Sequence, residues 1–150
     1  MVPFQDIDRT DHKILSALQN NGRLSNKELA ATVGLAPSSC HERVRKLTES
    51  GAIRGFHAEI NPAALGFTLE AMIAVRLQRH SREQYDAFRA GVLALGEVKA
   101  VHHLAGENDF LVHVMARDTD HLRDLALDHF IARPEVGHIE TWLIFEHVRG

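Results

Sequence analysis

Apolar positions recur along this chain at two spacings, near 3.6 residues in the first third and near two in much of the remainder. Asp8 caps a first helix whose stripe is Ile14, Leu15 and Leu18, and Asn20-Asn21-Gly22 ends it. Ser25 with Glu28 three residues on forms a capping box, so a second helix starts near Asn26 with Leu29, Ala30 and Val33 turned inward. Gly34 supplies a tight turn, and Pro37 opens a third helix on which Cys40, Val44 and Leu47 make one apolar stripe. Residues 53–60 then alternate in the strand sense, as a short wing or linking strand, until Asn61-Pro62 breaks the pattern.

Beyond residue 68 the order is strand, helix, strand, strand, helix, strand. Residues 69–77 are the first strand, and the spacing of Tyr85, Phe88, Val92 and Leu95 predicts a helix over 82–95. Strands at 98–105 and 110–116 flank the turn Gly106-Glu107-Asn108-Asp109. Thr119 caps the next helix, which carries Leu122, Leu125, Ala126, His129 and Phe130 and ends before Pro134; a last strand covers 139–148. The fold class is therefore α+β, with a winged helix-turn-helix over 1–60, a hinge over 61–67 and a ferredoxin-like βαββαβ domain over 68–150. Its strands are apolar on both faces: Ala71, Ile73 and Val75 oppose Met72 and Ala74, Phe110, Val112 and Val114 oppose Leu111 and Met115, and Ile139, Leu143 and Phe145 oppose Trp142 and Ile144. Helices cover one face, so the other calls for a second copy, and a homodimer is expected.

Composition narrows the class. With 150 residues and 45% apolar content the chain can bury a core. No apolar run reaches the length of a membrane span, and the N-terminus has no signal-peptide pattern, so no membrane partner and a cytoplasmic location are expected. The single Cys40 reads as a small buried apolar residue. Net charge is −3. Residues 1–60 hold 8 Lys+Arg against 7 Asp+Glu, and residues 61–150 hold 9 against 13, so the acidity lies in the second part. A surplus of one positive charge is small for a DNA binder, and useful binding needs more than one subunit on the duplex.

The polar face of the third helix carries Ser38, Ser39, His41, Glu42, Arg43, Arg45 and Lys46. Hydroxyls, an imidazole and cations of this kind suit a major groove. A solvated face is the competing reading, because Glu42 can meet Lys46 and Arg45 can meet Glu49 at i,i+4. The helix, short turn, helix layout favours DNA. Ser38, Ser39, His41 and Arg43 are then the base-facing candidates, and Arg45 and Lys46 the phosphate contacts.

The stretch ELAATVGLAPSSCHERVRKLTESGAI resembles the helix-turn-helix of the Lrp/AsnC (feast/famine) transcriptional regulators in its ELA, its VGL turn, the proline opening the recognition helix, Cys40, the run Glu42–Leu47, and Gly51-x-Ile53. It departs at Ala36, where that family usually has a capping serine; losing such a cap typically costs about 0.5–2 kcal/mol. The resemblance implies a sequence-specific regulator of double-stranded operator DNA, whose linking strand helps to pair subunits and whose C-terminal domains dimerise through their sheets into tetramers or octamers. It also implies an amino-acid effector beside the G-x-x-D turn, with Gly106, Asp109, Thr141, Trp142 and Leu143 as site residues and His103 and Thr119 as weaker candidates. Backbone amides near Gly106 can hold an α-carboxylate, and Asp109 can accept from an α-ammonium. A plain turn closed by Asp109, and a Trp142 that is only interface core, are the alternatives.

The 11 histidines raise a metal reading. Were Ala105 to pair with Phe110, His102 would face His113, and two imidazoles can start a Zn²⁺ site or respond to mild acid. No spacing supplies a third ligand, so neither metal nor cofactor is expected. Two rival functions remain: an effector-independent DNA-compacting architectural protein, and an enzyme acting on a small acid. No motif places a nucleophile, a base and an orienting group together, and no enzyme is expected.

Overall fold

The computed structural model describes residues 7–146 and 148. The chain divides into two compact units, Met1–Glu59 and Ile60–Gly150.

In the first unit α1 (Arg9–Asn20), α2 (Asn26–Val33) and α3 (Pro37–Glu49) enclose a small core of Ile14, Leu29, Ala30, Cys40 and Leu47. Capping boxes at Asp8/Asp11 and Ser25/Glu28 satisfy the first amides of α1 and α2. Gly34 ends α2 at φ 74°, a left-handed turn that a Cβ would strain. Ala36 precedes α3 with no side-chain cap. The expected wing or linking strand over 53–60 is not a strand: the Ile53 amide donates to the Leu47 carbonyl at 2.9 Å, and among the described residues no β-ladder joins the segment to another strand. Within 61–67 lies a turn of 3-10 helix, Pro62–Leu65, capped by Asn61.

The second unit is a four-stranded antiparallel sheet in the order β2-β3-β1-β4. Its strands are β1 (Leu69–Leu77), β2 (Val98–His103), β3 (Phe110–Ala116) and β4 (Val136–Ile144). Helices α4 (Arg82–Leu93) and α5 (Thr119–Ala126) bury Phe88, Val92, Leu122 and Leu125 against Ala71, Ile73, Val75, Phe110, Val112 and Val114. Asp118, not Thr119, caps α5, because its carboxylate accepts from the His121 amide at 2.7 Å. A π-turn over Leu127–Ile131 then adds a residue to the turn, which keeps Phe130 buried and leaves His129 exposed. The last strand starts three residues earlier than the alternation predicts and stops at Ile144.

The cross-strand register aligns the second set of apolar residues on the other face. Met72 lies opposite His113 and Trp142, Ala74 opposite Leu111, and Glu70 opposite Met115 and Ile144. Among the described residues, the core beneath α4 and α5 includes none of the apolar side chains of that face.

Candidate functional site

The recognition helix presents its chemistry because Cys40 and Leu47, with Val44 between them, point into the core. The opposite stripe, at i, i+4, i+7 and i+11, is Ser38, Glu42, Arg45 and Glu49. Ser38, Ser39 and His41 are exposed at the leading end. The cations behind them are all engaged. Arg43 donates through Nη1 to Asp8 Oδ2 at 2.7 Å and to Asp11 Oδ1 at 2.8 Å, tying α3 to the start of α1. Arg45 donates to both oxygens of Glu42, at 3.0 and 2.7 Å, and to Glu49. Lys46 Nζ stands 3.7 Å from Glu42 Oε1.

Electrostatics follow these contacts. The Asp11 and Asp8 carboxylates raise Arg43 above the usual guanidinium range, and Glu42 and Glu49 do the same for Arg45. Asp8 is lowered first by the Asp11 amide and then by Arg43, and Glu42 is lowered by Arg45. Burial pushes the Cys40 thiol up, which suits a core residue and not a nucleophile. Asp8, Asp11, Ser39, Glu42, Arg43 and Lys46 line one hollow of about 520 Å³ beside α3. The i,i+4 pairing was visible in the sequence. The Arg43 bridge spans 32–35 residues, and no local pattern announces it.

In the second unit the β2–β3 connection is longer than a four-residue turn. His103, not Ala105, lies opposite Phe110. The cause is Asp109: its amide donates to Val75 O at 2.9 Å, its carbonyl accepts from the Leu104 amide at 2.8 Å, and its Oδ2 accepts from the buried Leu77 amide at 2.8 Å. Asp109 Oδ1 accepts from the Tyr85 hydroxyl at 2.9 Å and lies 3.0 Å from His80 Nδ1. That bond to Asp109 raises the Tyr85 pKa. Asp109 is thus buried and fastens the loop to β1 and α4; neither oxygen is idle, and it does not close a plain local turn.

Gly106 is exposed, and a Cβ there would meet nothing within 4 Å. His103 stacks on Phe110 at 4.9 Å and packs at a tilt of 42° against Tyr85 at 4.8 Å, whose hydroxyl is bonded to Asp109. Thr119 is not near them. It follows the far end of β3, roughly 20 Å away at the usual strand rise.

Thr141, Trp142 and Leu143 lie on the edge strand β4. Thr141 and Leu143 share the face of Ile73 and Ala71, whereas Trp142 shares that of Met72. Since β1 separates β4 from β3, one chain does not bring this triplet to Gly106 and Asp109.

The two-residue shift in register also removes the histidine pair. His113 lies opposite Ala100 and His102 opposite Leu111. His113 Nε2 instead meets Glu70 Oε2 at 2.6 Å, which Lys99 Nζ also reaches at 3.0 Å. Among the described residues no group of three or more His, Cys, Asp or Glu is placed to hold a metal ion. No helix among them is long and apolar enough to cross a membrane.

Comparison with known proteins decides the family. Residues 7–54 match a winged helix-turn-helix DNA-binding model, and residues 70–149 match the Lrp/AsnC ligand binding domain. The chain belongs to the Lrp/AsnC family. It is 47% identical over 149 residues to the HTH-type transcriptional regulator AldR of Mycolicibacterium smegmatis, covering 99% of this chain and 87% of that protein. It is 35% identical to the leucine-responsive regulatory protein of Escherichia coli, over 98% of this chain and 90% of that one. A transcriptional regulator of Neisseria meningitidis, solved as a complex with L-methionine, superposes with a TM-score of 0.88 at 31% identity, covering 95% of this chain and 92% of that one. The α+β architecture read from the sequence agrees with these matches. As an Lrp/AsnC regulator the chain combines a DNA-binding helix-turn-helix with a ligand-binding domain, and its relatives are named as regulators of transcription.

Proposed function

We propose that this regulator binds operator DNA sequence-specifically, as a dimer or a higher assembly of dimers, and responds to an amino acid held by its second unit. The observation that carries the DNA reading is the orientation of α3: its apolar stripe is buried while Ser38, Ser39 and His41 stand exposed at the leading end. These three are assigned to base edges. Arg43, held at Nη1, keeps Nε and Nη2 for a groove contact.

Three things support an amino-acid effector: the ligand-binding domain, the methionine complex of the Neisseria protein, and the polar loop from Leu104 to Asp109. Backbone amides about Gly106 take the α-carboxylate, while Asp109 holds the loop in shape. Thr141–Leu143 complete the site from a neighbouring subunit, so effector binding requires assembly. The uncovered face of Met72, Leu111, Met115, Trp142 and Ile144 supplies the dimer contact.

Thermal-shift screening of the twenty amino acids tests the effector. A ligand present at 100 times its dissociation constant adds about 2.7 kcal/mol of stability, an easily measured rise in midpoint. No rise with any of them, together with a DNA footprint indifferent to sequence, would favour a compacting protein instead.

A further inference from the structure

The first unit carries eight cations, and the structure sorts them into two groups. Arg43, Arg45 and Lys46, all on α3, face Asp8, Asp11, Glu42 and Glu49 in ion pairs. Arg9, Lys13, Arg23, Lys27 and Arg54 make no ion pair or side-chain hydrogen bond among the described residues. A DNA phosphate approaching the first group must displace a carboxylate already within hydrogen-bonding distance, or share its cation with one. A phosphate approaching the second group displaces only water and counterions.

Of the second group, Lys27 is the one whose chain neighbour is hydrogen-bonded to the leading end of α3. Asn26 Nδ2 donates to the Pro37 carbonyl at 2.7 Å, which joins the first turn of α2 to the first turn of α3. Lys27 is the next residue and is exposed. Its neighbour Glu28 does not neutralise it, because that carboxylate turns back onto the Ser25 amide at 2.8 Å and hydroxyl at 2.7 Å. In a helix-turn-helix the helix preceding the recognition helix crosses the DNA backbone, and here that helix is α2.

We propose that Lys27, and not the arginine and lysine of α3 at positions 45 and 46, is the principal phosphate anchor of this domain. Glu42 and Glu49 make the Arg45 side a neutral lattice. The recognition helix is thereby spared general attraction to any duplex, while Lys27 fixes the register in which Ser38, Ser39 and His41 meet the bases. The proposal rests on the DNA-binding reading and refines it.

The test needs no known operator. Full-length protein is titrated by fluorescence anisotropy against a 30-base-pair mixed-sequence duplex at several NaCl concentrations, since nonspecific binding reports phosphate contacts. Lys27→Ala is expected to reduce the slope of log affinity against log salt by about 0.9 for each subunit on the DNA. The charge-conserving double variant Arg45→Gln/Glu49→Gln is expected to leave that slope unchanged. Equal thermal midpoints for Lys27→Ala and the parent protein establish that the fold is intact. A slope that Lys27→Ala does not move, or that the double variant lowers as much, overturns the proposal. Absence of duplex binding by the parent protein would instead overturn the DNA-binding reading itself.

Discussion

The two units of this chain finish their surfaces in opposite ways. The helical unit closes a small core around Ile14, Cys40 and Leu47 and spends its charge on the outside, where each cation of α3 has a carboxylate partner. The sheet unit builds the larger core, from Phe88, Phe110, Phe130 and the valines of β3, yet keeps Met72, Leu111, Met115, Trp142 and Ile144 on its other face, outside that core. One unit displays polar chemistry around a closed core; the other, on the proposed reading, packs its second face against another copy. The units should therefore answer differently to substitution.

The largest expected effect lies in the sheet core. Phe110 is buried against Phe88, 4.8 Å between ring centroids, and truncation to alanine costs about 3–5 kcal/mol. Trp142 is the chain's only tryptophan and lies in the sheet unit, so its fluorescence follows that unit alone. In Phe110→Ala the fluorescence transition in urea should move to lower denaturant while part of the helical circular dichroism persists. Transitions that stay superimposed would show that the units unfold as one.

Next comes the uncovered face. Leu111 stands opposite Ala74 on the side away from α4 and α5. Leu111→Asp should reduce the mass in sedimentation equilibrium to that of one chain at unchanged secondary structure, because it puts a charge where the second copy would pack. A parent and a variant of equal mass would show that this face does not hold a second copy.

In the helical unit the expected cost is smaller and local. Gly34→Ala meets no atom within 4 Å but forces a Cβ into φ 74°, worth about 1–2 kcal/mol. The helical dichroism should melt at lower temperature while the tryptophan transition stays where it was.

The sequence announced this division where the signal is local and obscured it where the cause is distant. β1 was legible to the residue because Ala71, Ile73 and Val75 alternate with Met72 and Ala74 over one uninterrupted run. The caps at Asp8 and Ser25 and the left-handed Gly34 needed only neighbours three to five residues away. Gly106–Asp109 looked like a tight hairpin for the same local reason. It misled because Leu77, 32 residues earlier, presents a buried amide that draws Asp109 out of the turn and shifts β2 by two residues. The residues proposed for the effector were named from the resemblance to the family. Their separation by β1 within one chain was not legible, since strand order is not written in any single strand.

The smallest effect concerns a charged cluster on the face of Met72, Glu70 with Lys99 and His113. Burial raises the Glu70 pKa, but hydrogen bonds from Lys99 and His113 outweigh it and leave the carboxyl below its ordinary value of 4.5. A folded-state pKa below the unfolded one binds fewer protons in the folded chain. The resulting stability is present in full above about pH 4.5 and is lost as pH falls through the folded value. Glu70→Gln removes that dependence. Its tryptophan-monitored midpoint should fall below the parent's at neutral pH, with the gap narrowing as the pH is lowered from 5 towards 3. Parallel midpoint curves across that range would mean that the Glu70 cluster does not carry this acid dependence, and the sheet unit's outer face would then differ from the helical unit's ion pairs in position only.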